Sequence, residues 1–575
     1  LRGASLAALG LLALGLLERS VQADLQARRD LHQVAYTGSR DCSRCHRDHD
    51  RTWRATFHRT MTQAASPQSV LGDFSDETLE YFGAQAHMER DAAGQYVIRY
   101  GGQAFPEQRY VVEKALGSRR YQQYVARSGD ALVRLPVAFD LSSRRWFHMN
   151  GAFLTPDPDP TQPLARADYE RHLTRWNDNC IFCHNVAANP GKHGAGFDSE
   201  VAELGIACEA CHGPGSEHAR RNANPLRRFT LHLRGGADPT IVNPARLDHE
   251  RAADLCGRCH GQRVTDDISA FLAHGDPFIP GEDLALYSAP LWRDTTLRGE
   301  SGLFEARFWS DGTPRLTAYE YQGLLQSPCY QRGELTCTSC HGMHEGDPRG
   351  QLRENLDCTR VCSQCHREYE HHERQVAHAR HGDSPPDCVS CHMPPIVYGV
   401  LSVHPSHRVE SPDPALSARD ERPDACTLCH TDRTRQWAAR ERARMFGPSR
   451  AEPPATTLWS EIETHLFAGD PVERAIAAHA LGSRTSSRGP RASALLLEAM
   501  RSDPYPVVRR FAAASLAARE PELREQLARF VPESPAPLRA EQLSGLRDRL
   551  GAPAEAAELL KLRNRASERA IDIGE

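Results

Sequence analysis

The rhythm of apolar and polar residues changes three times along the 575-residue chain. The first rhythm is an unbroken apolar run from Leu6 to Leu17. It is too short for an ordinary membrane-spanning helix. With Arg2 ahead of it and the small-residue site Val21-Gln22-Ala23 behind it, residues 1–23 read as an export signal or a short uncleaved anchor. The second rhythm is alternation. Tyr96-Val97-Ile98-Arg99-Tyr100, Arg109-Tyr110-Val111-Val112 and Leu132-Val133-Arg134-Leu135 alternate or cluster β-formers, with breaks at Gly101-Gly102 and Ser128-Gly129. They predict a small β-rich insertion over residues 66–175, with a loop at Pro156–Pro160. The third rhythm is helical. From about residue 455, Ala, Leu, Arg and Glu dominate with helical spacing. Val472–Leu481 aligns with Val507–Leu516, and Asp-Pro precedes each segment, at Asp470-Pro471 and Asp503-Pro504. Asp-Pro suits a helix start. Residues 455–575 are therefore expected to form a HEAT-like helical repeat or a simple helical bundle.

The rest of residues 24–454 reads as short helices between turns. A helical stretch runs from Trp53 to Met61, and residues 263–336 are loop-rich, with Gly275, Pro277, Pro280 and Gly281. The expected fold class is mainly α, with a small β-rich insertion and a C-terminal α-helical repeat region.

Cysteine changes this picture. Cys-x-x-Cys-His occurs three times within residues 337–392, as Cys337/Cys340/His341, Cys362/Cys365/His366 and Cys388/Cys391/His392. It recurs at Cys42/Cys45/His46, Cys180/Cys183/His184, Cys208/Cys211/His212, Cys256/Cys259/His260 and Cys426/Cys429/His430. This is the attachment signature of c-type haem. Two thiols add to the two vinyl groups of one haem, and the adjacent His ligates the iron from the proximal side. Paired CxxC units can also hold zinc, but zinc does not require a His after every second Cys. The expected cofactors are eight covalently attached haems, with a mainly α cytochrome domain over residues 24–454. Cys329 and Cys358 lie outside the motifs. In an exported chain they suggest a disulfide, with free buried thiols as the alternative.

Composition adds little beyond this. Hydrophobic residues make up 40% and aromatic residues 7%, modest values for a large core. Haem is itself a large apolar body on which side chains can pack. The formal charge of −5 gives no sign of nucleic-acid binding, and abundant Arg suits pairing with haem propionates.

Twenty-eight His against seven Met make bis-His ligation, and therefore low potentials, the expected rule. His58, His218, His344, His381 and His407 are the expected distal ligands. His148, His172 and His193 form a reserve set. His465 and His479 read as structural, and His371-His372 as a second-shell pair or plain surface.

The chain resembles the exported multihaem cytochromes c related to cytochrome c554, pentahaem nitrite reductase and octahaem hydroxylamine oxidoreductase. The stretches that carry the resemblance are Gly38-Ser-Arg-Asp-Cys-Ser-Arg-Cys-His46 with Trp53 and His58, then Trp176-Asn-Asp-Asn-Cys-Ile-Phe-Cys-His184 and Cys208-Glu-Ala-Cys-His-Gly-Pro-Gly-Ser-Glu-His218. Phe308-Trp-Ser-Asp-Gly312, Ser327–His344 and Cys388-Val-Ser-Cys-His-Met-Pro394 complete them. The resemblance implies closely packed haems that carry electrons, in the periplasm or at the cell surface, with redox proteins as partners. All eight motifs end in His, so the Lys that marks the catalytic haem in many of the nitrite reductases is absent. An enzyme acting on a small nitrogen or sulfur oxyanion at one five-coordinate haem is the alternative. A homo-oligomer or a subunit of a haem filament is a further one. Membrane contact is expected only through the N-terminal segment.

Overall fold

The computed structural model describes residue 19, residues 30–345, 351–398, 401–483, 489–553 and 555–563, and residue 571. The expected export signal or anchor over residues 1–23 thus lies almost wholly outside the described residues. Among them, no helix is long and apolar enough to cross a membrane.

The first large element is a sheet. Its strands are β1 (Thr62–Ala64), β2 (Glu77–Tyr81), β3 (Ala84–Arg90), β4 (Tyr96–Gly102), β5 (Phe105–Leu116), β6 (Tyr121–Ser128), β7 (Ala131–Asp140), β8 (Arg145–His148) and β9 (Thr174–Arg175). β2 to β8 pair in sequence order, β1 adds to β5, and β9 adds to β7, all antiparallel. β2 also lies beside β8, so the sheet curls almost onto itself. The register shifts between β4 and β5, β5 and β6, and β6 and β7. Such bulges sharpen the curl. The expectation of a mainly α chain with a small β insertion is therefore wrong: a nine-stranded, nearly closed sheet is a principal part of the fold. The three stretches predicted from sequence fall in β4, β5 and β7, and the alternating Ala84-Gln85-Ala86-His87-Met88-Glu89 of β3 was missed. The remaining strands are recruited by the meander, in which each hairpin supplies the next edge.

The curl has an inside and an outside, set by the period of two along a strand. Ala84, Ala86 and Met88 of β3, Ile98 and Tyr100 of β4, and Val133, Leu135, Val137 and Phe139 of β7 face the interior. Phe74 fills it with edge-on contacts to Tyr96, Tyr124 and Trp146, at 5.0, 5.4 and 5.3 Å between ring centres. Outward-facing Leu116, Val125 and Leu132 pack on Trp176 and Ile181, beside the motif Cys180–His184.

The C-terminal part is helical. α1 (Glu461–Ala468), α2 (Pro471–Gly482), α3 (Pro490–Ser502) and α4 (Pro506–Arg519) are followed by shorter helices. Asp470 caps α2 in a reciprocal capping box with Glu473, and Pro471 takes the first position. The second Asp-Pro behaves differently. α4 starts at Pro506, and Asp503 accepts a bond from the Tyr505 amide one turn earlier. The two aligned segments, α2 and α4, pack side by side. Their approach is close: a Cβ at Gly482 would lie 2.6 Å from Ser515 Cα.

This helical part shares a core with the rest of the chain. One buried cluster runs from Ala138, Phe147 and Phe153 through Phe308, Leu316 and Val397 to Ile476, Leu496 and Phe511. Buried charges cross the same boundary, with Arg509 to Asp157 at 2.7 Å and Arg510 to Asp140 at 3.0 Å.

Candidate haem-binding sites

Each Cys-x-x-Cys-His motif closes a short turn of helix. The His amide donates to the first Cys carbonyl at 2.9 Å for His46, 2.8 Å for His260, 2.9 Å for His341, 3.0 Å for His366 and 2.8 Å for His430. That i to i+4 bond holds both thiols and the imidazole on one short piece of backbone. Asp387 caps the turn at Cys388, and Asp424 caps the turn at Cys426.

The turns come together in a definite order. The Cys42 thiol meets Cys208, Cys183 meets Cys259, Cys256 meets Cys337, and Cys362 meets Cys388. Cys340 lies near Cys365, and Cys391 near Cys429. No disulfide joins Cys329 to Cys358 in the structure. Cys358 lies beside Cys388, its carbonyl accepting from the Val389 amide, while the Cys329 carbonyl accepts from Leu335. The two thus serve different local turns.

The sequence treats both thiols of a motif alike, and Cys45 departs from that expectation. Cys42 is half-buried against Cys208, whereas Cys45 is exposed. The physical reason is local. The helix Ser39–Cys42 ends at the first thiol, and Cys45 lies in the looser turn that follows, its amide donating to Cys42 O at 3.2 Å. Cys45 therefore shares the backbone turn of its motif without sharing the packing of Cys42. Its part in attachment rests on its place in the motif, not on a buried setting. Cys365 is exposed as well, but it lies near Cys340 of the preceding motif.

The imidazoles come in facing twos. His46 and His218 have ring centres 6.3 Å apart, His212 and His344 6.2 Å, and His341 and His407 6.2 Å. His392 and His378 are 5.9 Å apart, His430 and His381 6.3 Å, and His260 and His58 6.1 Å. Two metal–nitrogen bonds of about 2.0–2.1 Å each, with half a ring width beyond each nitrogen, span this separation. The donor set therefore fits one iron between each two rings. The ring planes differ by 17 to 30° in five of these cases. They differ by 77° for His58 and His260.

Electrostatics agree with this donor role, since an imidazole must be neutral to offer a lone pair. Burial pushes His58 down to about 4, His184 to about 4 and His407 to about 3. It also lowers His46, His212, His344, His378 and His430. Most Nδ1 atoms that are tied meet a carbonyl. His212 Nδ1 faces Val242 O at 2.8 Å, His392 Nδ1 faces Glu410 O at 2.6 Å, and His341 Nδ1 faces Gln351 O at 3.3 Å. Such bonds fix the ring and leave Nε2 for metal. His260 differs. Burial would lower it, but Glu320 outweighs the burial and lifts it to about 9.

The five expected distal residues His58, His218, His344, His381 and His407 each face a motif His. The reserve set does not. His148 is buried inside the sheet, stacked on Tyr81 at 4.1 Å, with Nε2 against Tyr169 O and Nδ1 accepting from the Asn150 amide. His172 stacks on Phe153 at 4.0 Å and lies 3.2 Å from Thr155 Oγ1. His193 is exposed beside Asp198. His378 was missed. It precedes His381 by three residues, and that spacing just before the seventh motif was the available signal. Among the described residues, no imidazole faces His184 or His366.

No family model matches the chain. It is similar to the multihaem cytochrome MtrA of Shewanella baltica, 24% identical over 154 residues, a match that spans 24% of this chain and 45% of that protein. Among solved structures, the outer cell wall cytochrome OcwA aligns with 90% of this chain and 99% of its own, at 16% identity and a TM-score of 0.45. The octahaem sulfite reductase MccA of Wolinella succinogenes aligns with 93% of this chain and 85% of its own, at 14% identity and a TM-score of 0.27. Both scores lie below what a shared fold requires. Over about a quarter of its length, then, this chain is similar to a multihaem cytochrome, and it spans less than half of that protein.

Proposed function

We propose that this chain binds eight c-type haems, one at each motif, and conducts electrons along them outside the cytoplasm to and from redox partner proteins. Each haem supplies one-electron iron chemistry. The observation that carries the reading is the set of six facing imidazole twos, each at the width of one iron. In this reading one iron would be held by each of His218 with His46, His344 with His212, His58 with His260, His407 with His341, His378 with His392, and His381 with His430. The meeting thiols support a path through the first, third, fourth, fifth, sixth, seventh and eighth motifs, with the second beside the fourth.

A second reading has one observation in its favour. His184 faces no imidazole among the described residues. Buried Arg134, in β7, acts on it electrostatically and has an Nε without a hydrogen-bond partner. An iron held there would suit a small anion and an oxyanion-reducing enzyme. One experiment tests both readings: a pyridine haemochrome assay with intact mass on the purified protein, followed by cyanide titration of the oxidised form. Eight haems, mostly low-spin and inert to cyanide, are expected. Six or fewer haems on matured protein would end the first reading. Tight cyanide binding at one high-spin haem, with turnover of nitrite or sulfite, would favour the second.

A further inference from the structure

Glu320 is the first residue of the helix Glu320–Gln326. Its carboxylate lies between two imidazoles: Oε2 is 3.9 Å from His260 Nδ1, and Oε1 is 3.3 Å from His404 Nε2. Oε2 is buried and has no hydrogen-bond donor among the described residues. The placement is rigid. The Tyr321 amide donates to His260 O at 2.9 Å, and the Gln262 amide donates to Ala318 O at 2.9 Å, so the backbone is tied on both sides of the carboxylate. Behind it, a Cβ at Gly257 would clash with the Tyr321 ring, so the motif helix and the Glu320 helix touch through a glycine. His404 is held by the pairing of Ser402–Pro405 with Pro395–Tyr398, and its ring lies 5.6 Å from that of His407.

A second carboxylate, Asp238, also meets an axial candidate, with Oδ2 3.1 Å from His218 Nδ1. Its charge is shared with Arg227 at 2.7 Å. The partners of Glu320 are imidazoles, so more of its charge acts on His260. A carboxylate facing the Nδ1–H of an axial imidazole makes Nε2 a stronger donor and favours the more highly charged, oxidised iron.

We propose that Glu320 is a positioning residue that sets the iron held by His58 and His260 at the low-potential extreme of the array. This inference rests on the electron-conducting reading above and adds to it a low-potential step in the interior of the path, beside the second, third and fifth motifs. Electrons crossing the array must pass this step, so Glu320 governs the rate of through-flow.

The near-perpendicular rings of His58 and His260 make the site separately visible. Crossed axial planes give a highly anisotropic low-spin EPR signal, whereas the near-parallel rings elsewhere give ordinary rhombic ones. The test is an EPR-monitored redox titration of the full-length holoprotein, wild type beside Glu320→Gln, Glu320→Asp and His404→Gln. In Glu320→Gln, the highly anisotropic signal should titrate at a higher potential, with unchanged haem content. Glu320→Asp should move back towards wild type, because it keeps the charge. His404→Gln should move the signal lower, because Glu320 then acts on His260 alone. The proposal is overturned if the signal titrates at the wild-type potential in both Glu320→Gln and His404→Gln, or if Glu320→Asp is displaced as far as Glu320→Gln. If Glu320→Gln does not accumulate as holoprotein, the direction of the His404→Gln shift alone decides. A wild-type protein short of haem would instead count against the conducting reading.

Discussion

At the scale of single residues, the sequence favours imidazole as a distal ligand but does not say which iron each one reaches. His344 shows why. It lies three residues beyond His341, too close to reach round to the opposite side of the same iron. In the structure it faces His212, of the third motif, at 6.2 Å. One residue thereby ties two motifs together. His344→Ala should leave every thioether and proximal bond intact and open one distal position. The expected result is one new high-spin haem that binds cyanide or nitric oxide, with the haem count unchanged. A wholly low-spin spectrum that ignores both ligands would remove His344 from the ligand set. His378 makes the complementary point. Nothing in its own residue type sets it apart from His371 or His372. Only the helix His372–Ala379 turns it towards His392.

At the scale of elements, β7 and α4 carry the joints of the molecule. β7 lines the interior of the sheet through Val133, Leu135, Val137 and Phe139, turns Leu132 towards the second motif, and gives Ala138 to the core shared with the helices. α4 is anchored just ahead of its first turn by Asp503. That carboxylate is fully buried, 3.5 Å from Arg474 and 3.3 Å from Arg563. Asp503→Ala would remove the carboxylate that two buried guanidinium groups share, a loss that typically destabilises by about 3–5 kcal/mol, while Arg474 Nε keeps Gly469 O and Arg563 Nη1 keeps Ser502 Oγ. A marked fall in the thermal midpoint of the helical part is expected by circular dichroism. A change within error of wild type would mean that Arg474 and Arg563 find water or other acceptors. In sequence Asp503 reads as half of an Asp-Pro helix start. The structure gives it a different task, because Pro506 rather than Pro504 opens the helix.

At the scale of the whole molecule, the change in composition near residue 455 suggests a module added to a finished cytochrome. The packing differs from that picture. Phe308, Leu316 and Val397 share one buried cluster with Ile476 and Leu496. Arg315 pairs with Asp470, and Arg435 pairs with Glu461. Ending the chain at residue 454 would expose the broad apolar face that these residues cover, at roughly 25 cal/mol for each Å². The shortened chain is expected to accumulate poorly and to lose haem. A soluble fragment with the full visible spectrum and haem count would show that the helical part is separable after all.

The sequence by itself determined the local chemistry. Attachment of c-type haem needs two thiols and one imidazole on a single turn of helix, and Cys-x-x-Cys-His contains all of it within five residues. The excess of His over Met likewise makes imidazole the expected distal ligand. Tertiary structure decided what depends on segments far apart in the chain: which imidazole faces which motif histidine, which thiols meet, that Cys45 stays exposed while Cys42 packs on Cys208, and that Glu320 stands beside His260. It also decided the large sheet. A strand that leaves its polar side in water alternates visibly, but strands buried on both sides or broken by bulges lose that pattern. The shared core was equally hidden, because a buried helix face reads the same whether it packs on its own repeat or on a neighbouring sheet.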